Sequence, residues 1–346
     1  MAKAKKTVLT VFFILAAAAA SRAGSGGEPM AFLKNGLGVR AIGMGAAFTA
    51  VADDLSGVFY NPAGTIRLKD LQLMAESHFM SYGRSVGFIS IGKPFALEEN
   101  LYSISLSWLN ASAGDDLEYR STNSYEPERY FSDTSNIFLF NVSTVLSRDF
   151  AIGGNVKIFI NNIDAARGTG VGFDLGFITE PFEDFRAGCG FSNISTNIAW
   201  DNGSEVENVP IVFNGGVSYV LSDLKGIKGF DIRAAADVLY TGFDVFKIKA
   251  GIEAGMRDFV FLRAGYNDTL SMGLGIILSP TEVFTVKCDY AFVPDTAEAG
   301  SGLNHRIGMK LDYIFPHFGR KVEDKHGNIV RPDEEDGESG AQEYEW

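Results

Sequence analysis

The chain has 346 residues, 43 acidic against 30 basic, for a net charge of −13, which excludes the positive field that a nucleic-acid partner needs. Its 12% aromatic residues and 39 glycines favour strands and turns. Only two cysteines are present, Cys189 and Cys288, each in phase with apolar neighbours, so both read as small apolar residues on a strand face rather than as a disulfide pair.

In chain order, Lys3, Lys5 and Lys6 precede an apolar run from Val8 to Ala20, and Ser21-Arg22-Ala23 offers a small-residue cleavage site before Gly24. Residues 1–23 read as a secretory signal peptide, because about 13 apolar residues fall short of the ~20 that a spanning helix needs. Its removal leaves 26 basic residues against 43 acidic, or −17. No later run is long and apolar enough to span a membrane as a helix.

Residues 24–71 differ in pattern from the chain beyond them. The stretch "AIGMGAAFTAVADDLSGVFYNPAGT" (41–65) is dense in small residues, carries the pair Asp53-Asp54, and has no clean period-two alternation among Ile42, Met44, Phe48, Val51, Val58 and Phe59. Two features in it suggest chemistry and fail. "GLGVRA" (Gly36, Gly38, Ala41) matches a dinucleotide-binding pattern, but no strand precedes it. The Asp pair lacks a third carboxylate, His or Cys to complete a metal shell, and reads instead as a helix end or a polar contact to a wall. His78, His305, His317 and His326 form no ligand spacing either. With no catalytic constellation, no enzyme, cofactor or metal is expected. In "YNPAG", Pro62 and the positive φ open to Gly64 predict a turn just before the first strand.

From about residue 72 the chain alternates. Ile232, Ala234, Ala236 and Val238 are out of phase with Arg233, Ala235 and Asp237; Ile248, Ala250, Ile252 and Ala254 with Lys247, Lys249 and Glu253; Val286 and Cys288 with Lys287; Leu311 and Tyr313 with Arg306 and Lys310. Period two with one apolar face means strands. Fourteen are predicted, near 72–80, 84–93, 100–109, 135–146, 150–160, 168–179, 184–192, 209–222, 228–240, 244–256, 258–266, 269–279, 282–293 and 302–315. Gaps after odd-numbered strands include 110–134, 161–167, 193–208 and 294–301, and the even-numbered gaps are short. That asymmetry fits a transmembrane antiparallel β-barrel, with the short turns facing the periplasm.

Alternation does not say which face is inward, but barrel size does. About eight strands already fill a barrel interior, so 14 would leave an apolar interior empty. The apolar face should therefore meet lipid, with Arg233, Asp237, Lys247, Lys249, Glu253, Lys287, Arg306 and Lys310 lining a polar lumen. An even strand number puts both ends at the periplasmic rim, so residues 24–71 enter there and form a hatch inside the barrel. Arg40, Asp53 and Asp54 would pair with lumen charges as partly screened, displaceable contacts.

"GVRAIGMGAAFTAVADDLSGVFYNPAGT" resembles the N-terminal signature of the FadL-like outer-membrane proteins. Its tight R-A-x-G-M-G-A-A-F form, with "LNHRIGMKLDYIF" as last strand, is most similar to the PorV/PorQ group. The resemblance implies a 14-stranded barrel with a hatch, in which Asn61, Pro62 and Ala63 are the hatch tripeptide and Arg40, Gly43, Gly45, Asp53, Asp54 and Gly64 belong to the same plug. It implies an outer-membrane location in a diderm bacterium, with lipid as one partner. It also implies either hydrophobic small molecules as transport substrates or, as the alternative, secretion-system proteins and their cargo, contacted at the surface by the loop 110–134. The barrel is expected over 72–315. Residues 316–346, acidic and poor in apolar residues, read as a solvated periplasmic tail.

Overall fold

The computed structural model describes residues 30, 32–33, 36–97, 100–114, 117–120, 125–182, 184–222, 229–241, 245–256, 259–279, 283–294 and 303–313; the expected signal peptide and acidic tail lie outside them. The described chain is almost all strand. In order these are β1 (Leu71–Phe79), β2 (Ser85–Leu97), β3 (Asn100–Ser112), β4 (Leu117–Tyr119), β5 (Arg129–Phe131) and β6 (Asp133–Ser147). Next come β7 (Phe150–Ile163), β8 (Ala166–Phe182), β9 (Phe185–Trp200), β10 (Glu207–Asn208), β11 (Val212–Leu221) and β12 (Phe230–Thr241). Then follow β13 (Val245–Met256), β14 (Val260–Asn267), β15 (Thr269–Leu278), β16 (Phe284–Pro294) and β17 (Leu303–Tyr313). Fourteen of them close an antiparallel ring, in which sequence neighbours pair and β17 returns to β1. Leu71 faces Tyr313 at that seam and Phe79 faces His305. Closure leaves no free edge, so the backbone donors and acceptors of the wall satisfy one another.

Strand β3 shows which way the faces point. Ser103, Ser105 and Ser107 are at most 3% exposed, while Ile104, Leu106 and Trp108 are 36%, 55% and 40% exposed. A soluble sandwich would reverse this. The same inversion recurs around the ring: Asn141, Asn155, Asp237 and Glu253 are buried, and Phe140, Ile158, Ile252, Met272, Ile307 and Met309 face out. The outer surface is thus an apolar belt, which in water would be a large exposed patch and in a bilayer is solvated by lipid.

The fourteen predicted strands match the fourteen of the ring, with differences that have physical causes. The expected loop 161–167 is only a two-residue turn, because β7 and β8 run further than their apolar phases do. Asp164 there has φ 54, a backbone that Asp tolerates better than most residues. The long connection 110–134 contains the small hairpin β4–β5, held by Arg129 over the Tyr119 ring at 4.8 Å. Strand β9 continues to Trp200, eight residues past its predicted end at 192, through an irregular stretch where it pairs with β10.

Candidate functional site

Residues 37–68 lie inside the ring, with every one buried except Asp53 and Phe59, which are partly so. The chain enters as a short helix, Val39–Gly43, turns at Gly45, and continues through a second helical turn, Gly57–Tyr60, into the 3-10 helix Pro62–Arg67. Gly45 has φ 64, and a Cβ there would sit 2.4 Å from the Tyr266 nitrogen. The backbone runs directly on the wall at that point, and no larger residue fits. Asn61 organises the far end: its Oδ1 accepts the Ala63 amide at 3.2 Å, and its Nδ2 donates to the Thr49 carbonyl at 2.9 Å and to Phe177 O on β8 at 2.8 Å. Pro62 occupies the first helical position, where its missing N–H costs nothing. Gly64 corrects an expectation. It does not adopt positive φ; it is small because a Cβ would fall 2.0 Å from Ala52 O. Gly43 is likewise in contact with the wall, its missing Cβ 3.1 Å from the Gly273 Cα.

Charged groups tie this segment to the wall. Arg40 makes a bidentate pair with Glu253, both bonds 2.8 Å, and reaches Asp53 and, at 3.3 Å, Asp54. Glu253 also accepts from Arg263 at 2.6 Å, and Arg263 from β14 reaches Asp289 on β16 at 2.6 Å. Asp53 continues to Arg233 at 2.6 Å, and Arg67 meets Glu180. The Arg40 and Glu253 side chains are only 11% and 6% exposed. The expected screened and displaceable pairs are instead a desolvated network, in which losing one partner is far costlier than at a surface. Asp237 accepts the Phe48 and Thr49 amides at 2.8 Å and the Thr49 hydroxyl at 2.7 Å. Lys287 lies over the Phe261 ring at 4.4 Å, Lys310 meets Asp312 at 3.5 Å, Lys247 pairs with Asp268, and Arg306 is buried opposite His78. Among the described residues no group of three His, Cys, Asp or Glu could hold a metal ion.

Burial works to raise the Asp53 carboxyl, but the guanidiniums of Arg40 and Arg233 overcome it and hold Asp53 well below the usual carboxylate range. A lowered folded value gives a contribution that is complete above the unfolded value of about 3.9 and is lost as pH falls through the folded one. The segment is therefore expected to keep its place from neutral pH to roughly pH 4 and to loosen only in stronger acid. Planar-bilayer current recorded against pH checks this; a current already rising between about pH 7 and 5 would assign the hold to another group.

Above the segment, towards the rim that carries the longer connections, an open cavity of about 1010 Å³, counting the solvent at its mouth, is lined by Leu109, Ile137, Leu139, Phe59, Val209 and Leu239. Leu109, Ile137 and Leu139 continue a buried apolar cluster with Val86, Phe88 and Phe159 on the inner face of β2, β3, β6 and β7. In this sector the inward phase, polar on the charged strands, is apolar instead. The missed signal lies in "IFLF" (137–140), where both phases are apolar, as they are for a strand buried on both faces. Opposite the apolar wall stand Thr241, Asn214 and Lys249. Lys249 is 5% exposed, with its ammonium 5.9 Å from the centre of the Tyr60 ring.

No family model matches the chain, and no curated protein does. Among solved structures, the toluene transporter TbuX of Ralstonia pickettii matches 82% of this chain and 100% of its own at 10% identity, with a TM-score of 0.55. The toluene transporter TodX of P. putida matches 81% and 99% at 10% identity, TM-score 0.55. The monoaromatic hydrocarbon channel CymD matches 81% and 98% at 11% identity, TM-score 0.54. At such identity the likeness is one of backbone architecture, and it spans nearly the whole length of those structures: this chain is a closed 14-stranded β-barrel with the fold shared by TbuX, TodX and CymD.

Proposed function

We propose that the protein sits in an outer membrane and passes hydrophobic small molecules inward from the long-connection rim, by way of the cavity above the enclosed segment. The apolar belt around the ring supports the membrane location, and the three similar structures are two toluene transporters and a monoaromatic hydrocarbon channel. One observation carries the transport reading: on a wall whose inward phase is mostly serines, amides and charges, the sector of Leu109, Ile137 and Leu139 is apolar and, with Met30 and Leu33, borders open space. Residues 37–68 close the route below and act as its plug. Lys249, facing that space among Thr241 and Asn214, suits the polar end of an amphiphile. The secretion role implied by the PorV/PorQ resemblance has no comparable observation behind it.

Binding to the full chain in nanodiscs tests this reading with two probes, neutral 1-N-phenylnaphthylamine and the fluorescent carboxylate cis-parinaric acid. Leu139→Trp fills the cavity and is expected to weaken both about tenfold. Lys249→Met should weaken only the carboxylate, again about tenfold, since a charge-assisted hydrogen bond is lost. If Leu139→Trp binds both probes as the parent does, they partition into lipid or elsewhere and the cavity is not the route.

A further inference from the structure

We propose that a hydrogen-bond relay across four adjacent wall strands couples the plug to the irregular stretch of β9 that walls the cavity, so that neither rearranges without the other. The relay starts on backbone oxygens of the plug. Asn141 on β6 donates to Pro62 O at 3.1 Å and accepts from Thr65 Oγ1 at 2.6 Å, and Asn155 on β7 donates to Val58 O at 2.7 Å. The two amides are joined at 2.8 Å, and Asn155 donates onward to Asp174 Oδ2 on β8, also at 2.8 Å. Asp174 Oδ1 then takes the Lys157 ammonium at 2.6 Å and the Asn193 amide of β9 at 2.9 Å, while Lys157 also reaches Asn193 Oδ1. Asn193 closes the chain by donating to Pro210 O at 3.2 Å.

These residues share one level because Asn141, Asn155 and Asp174 are direct cross-strand partners in the inward phase. They are at most 5% exposed, so each lost partner leaves a buried polar group without compensation. The far end of the relay is held away from ordinary strand backbone. Asn193 and Ser195 sit at φ 63 and 51 within a strand, where extended backbone is their ordinary state, and the register with β8 slips on both sides of Phe173. Backbone of this kind persists only where its surroundings hold it. Asp174, Lys157 and Pro210 hold it, and Asp174 is in turn positioned by an amide bonded to the plug. Asn193 and Pro210 line the cavity, so its wall and the plug are ends of one polar network. The coupling rests on this geometry and not on what the cavity binds.

Hydrogen–deuterium exchange of the full chain in nanodiscs tests it without a ligand. Asp174→Asn removes the carboxylate from the relay and touches no atom of the plug. Amides of 56–66 are expected to exchange about tenfold faster, together with those of 192–196. Ser90→Ala, which removes a buried wall hydrogen bond outside the relay (2.7 Å to Ser107), should shift neither segment. Faster exchange in 192–196 with 56–66 unchanged overturns the proposal. Should Asp174→Asn fail to assemble, Asn193→Gly probes the same link from the other end. Glycine accepts the positive φ but loses the bonds to Lys157 and Pro210, and the same pair of outcomes decides.

Discussion

Deletion of residues 36–64 is expected to turn the barrel from a closed body into an open, conducting one. These residues fill the interior: Leu37, Phe48, Val51, Leu55 and Val58 are at most 1% exposed, in contact with the wall or with one another. None of the wall's interstrand hydrogen bonds involves them, so the ring can still close without them. Fourteen strands lie between the eight whose side chains fill a barrel and the 16 to 18 of water-filled porins, so an emptied lumen should be wet and conducting. Arg40→Met is the graded version. It leaves Glu253, Asp53 and Asp54 short of a cation inside a desolvated site, a loss of about 3–5 kcal/mol when a buried pair is broken. Arg263 and Arg233 stay on Glu253 and Asp53 and reduce that cost. Current should therefore be intermittent in Arg40→Met and steady in the deletion. A deletion variant that assembles, as judged by heat-modifiable mobility, yet conducts like the parent would show that the segment is not the barrier.

The second large effect concerns two adjacent residues on opposite faces of β13. Ile252 is 45% exposed on the outer belt, and Ile252→Lys should cost roughly 2–4 kcal/mol where the belt meets mid-bilayer. Sequence phase alone would make Glu253→Lys the cheaper change, as for a residue facing an aqueous lumen. The network reverses that order. A lysine at 253 would face Arg40 and Arg263 with no carboxylate between them, so a loss of at least about 3–5 kcal/mol is expected. Lys310→Gln, inward and paired to Asp312 at 3.5 Å, should cost under about 1 kcal/mol. Urea titration of the assembled barrel in lipid measures all three. If Glu253→Lys proves as mild as Lys310→Gln, Glu253 is not the node that holds Arg40.

Much of the ring was legible because the information is local. A strand's face is written in every second residue, so Ile232, Arg233, Ala236 and Asp237 reveal strand, phase and polarity within one window of sequence. Strand number then decided the direction of the faces by a volume argument that needs no contacts. The segment 41–65 stood out for the same reason, since its small residues break the alternation. Strand lengths were read less well. Past their predicted ends β7, β8 and β9 continue through mostly polar stretches such as Asn161-Asn162, Ala166-Arg167 and Asn193–Asn197, which carry little hydrophobic phase but still pair backbone to backbone.

The amino-acid sequence by itself determined the number of strands and that one stretch before them breaks their alternation; both follow from spacing along the chain. Only the tertiary structure decided what the inward side chains do. Arg40 and Glu253 are 213 positions apart, and their meeting depends on ring closure bringing β13 against a segment threaded through the interior. The same closure sets β3 and β6 across from β11, β12 and β13, so a cavity opens between strands that no local pattern relates. Desolvation completes the difference. A lysine or carboxylate in the inward phase looks the same in sequence whether water or a guanidinium faces it, and the segment filling the lumen is what removes the water.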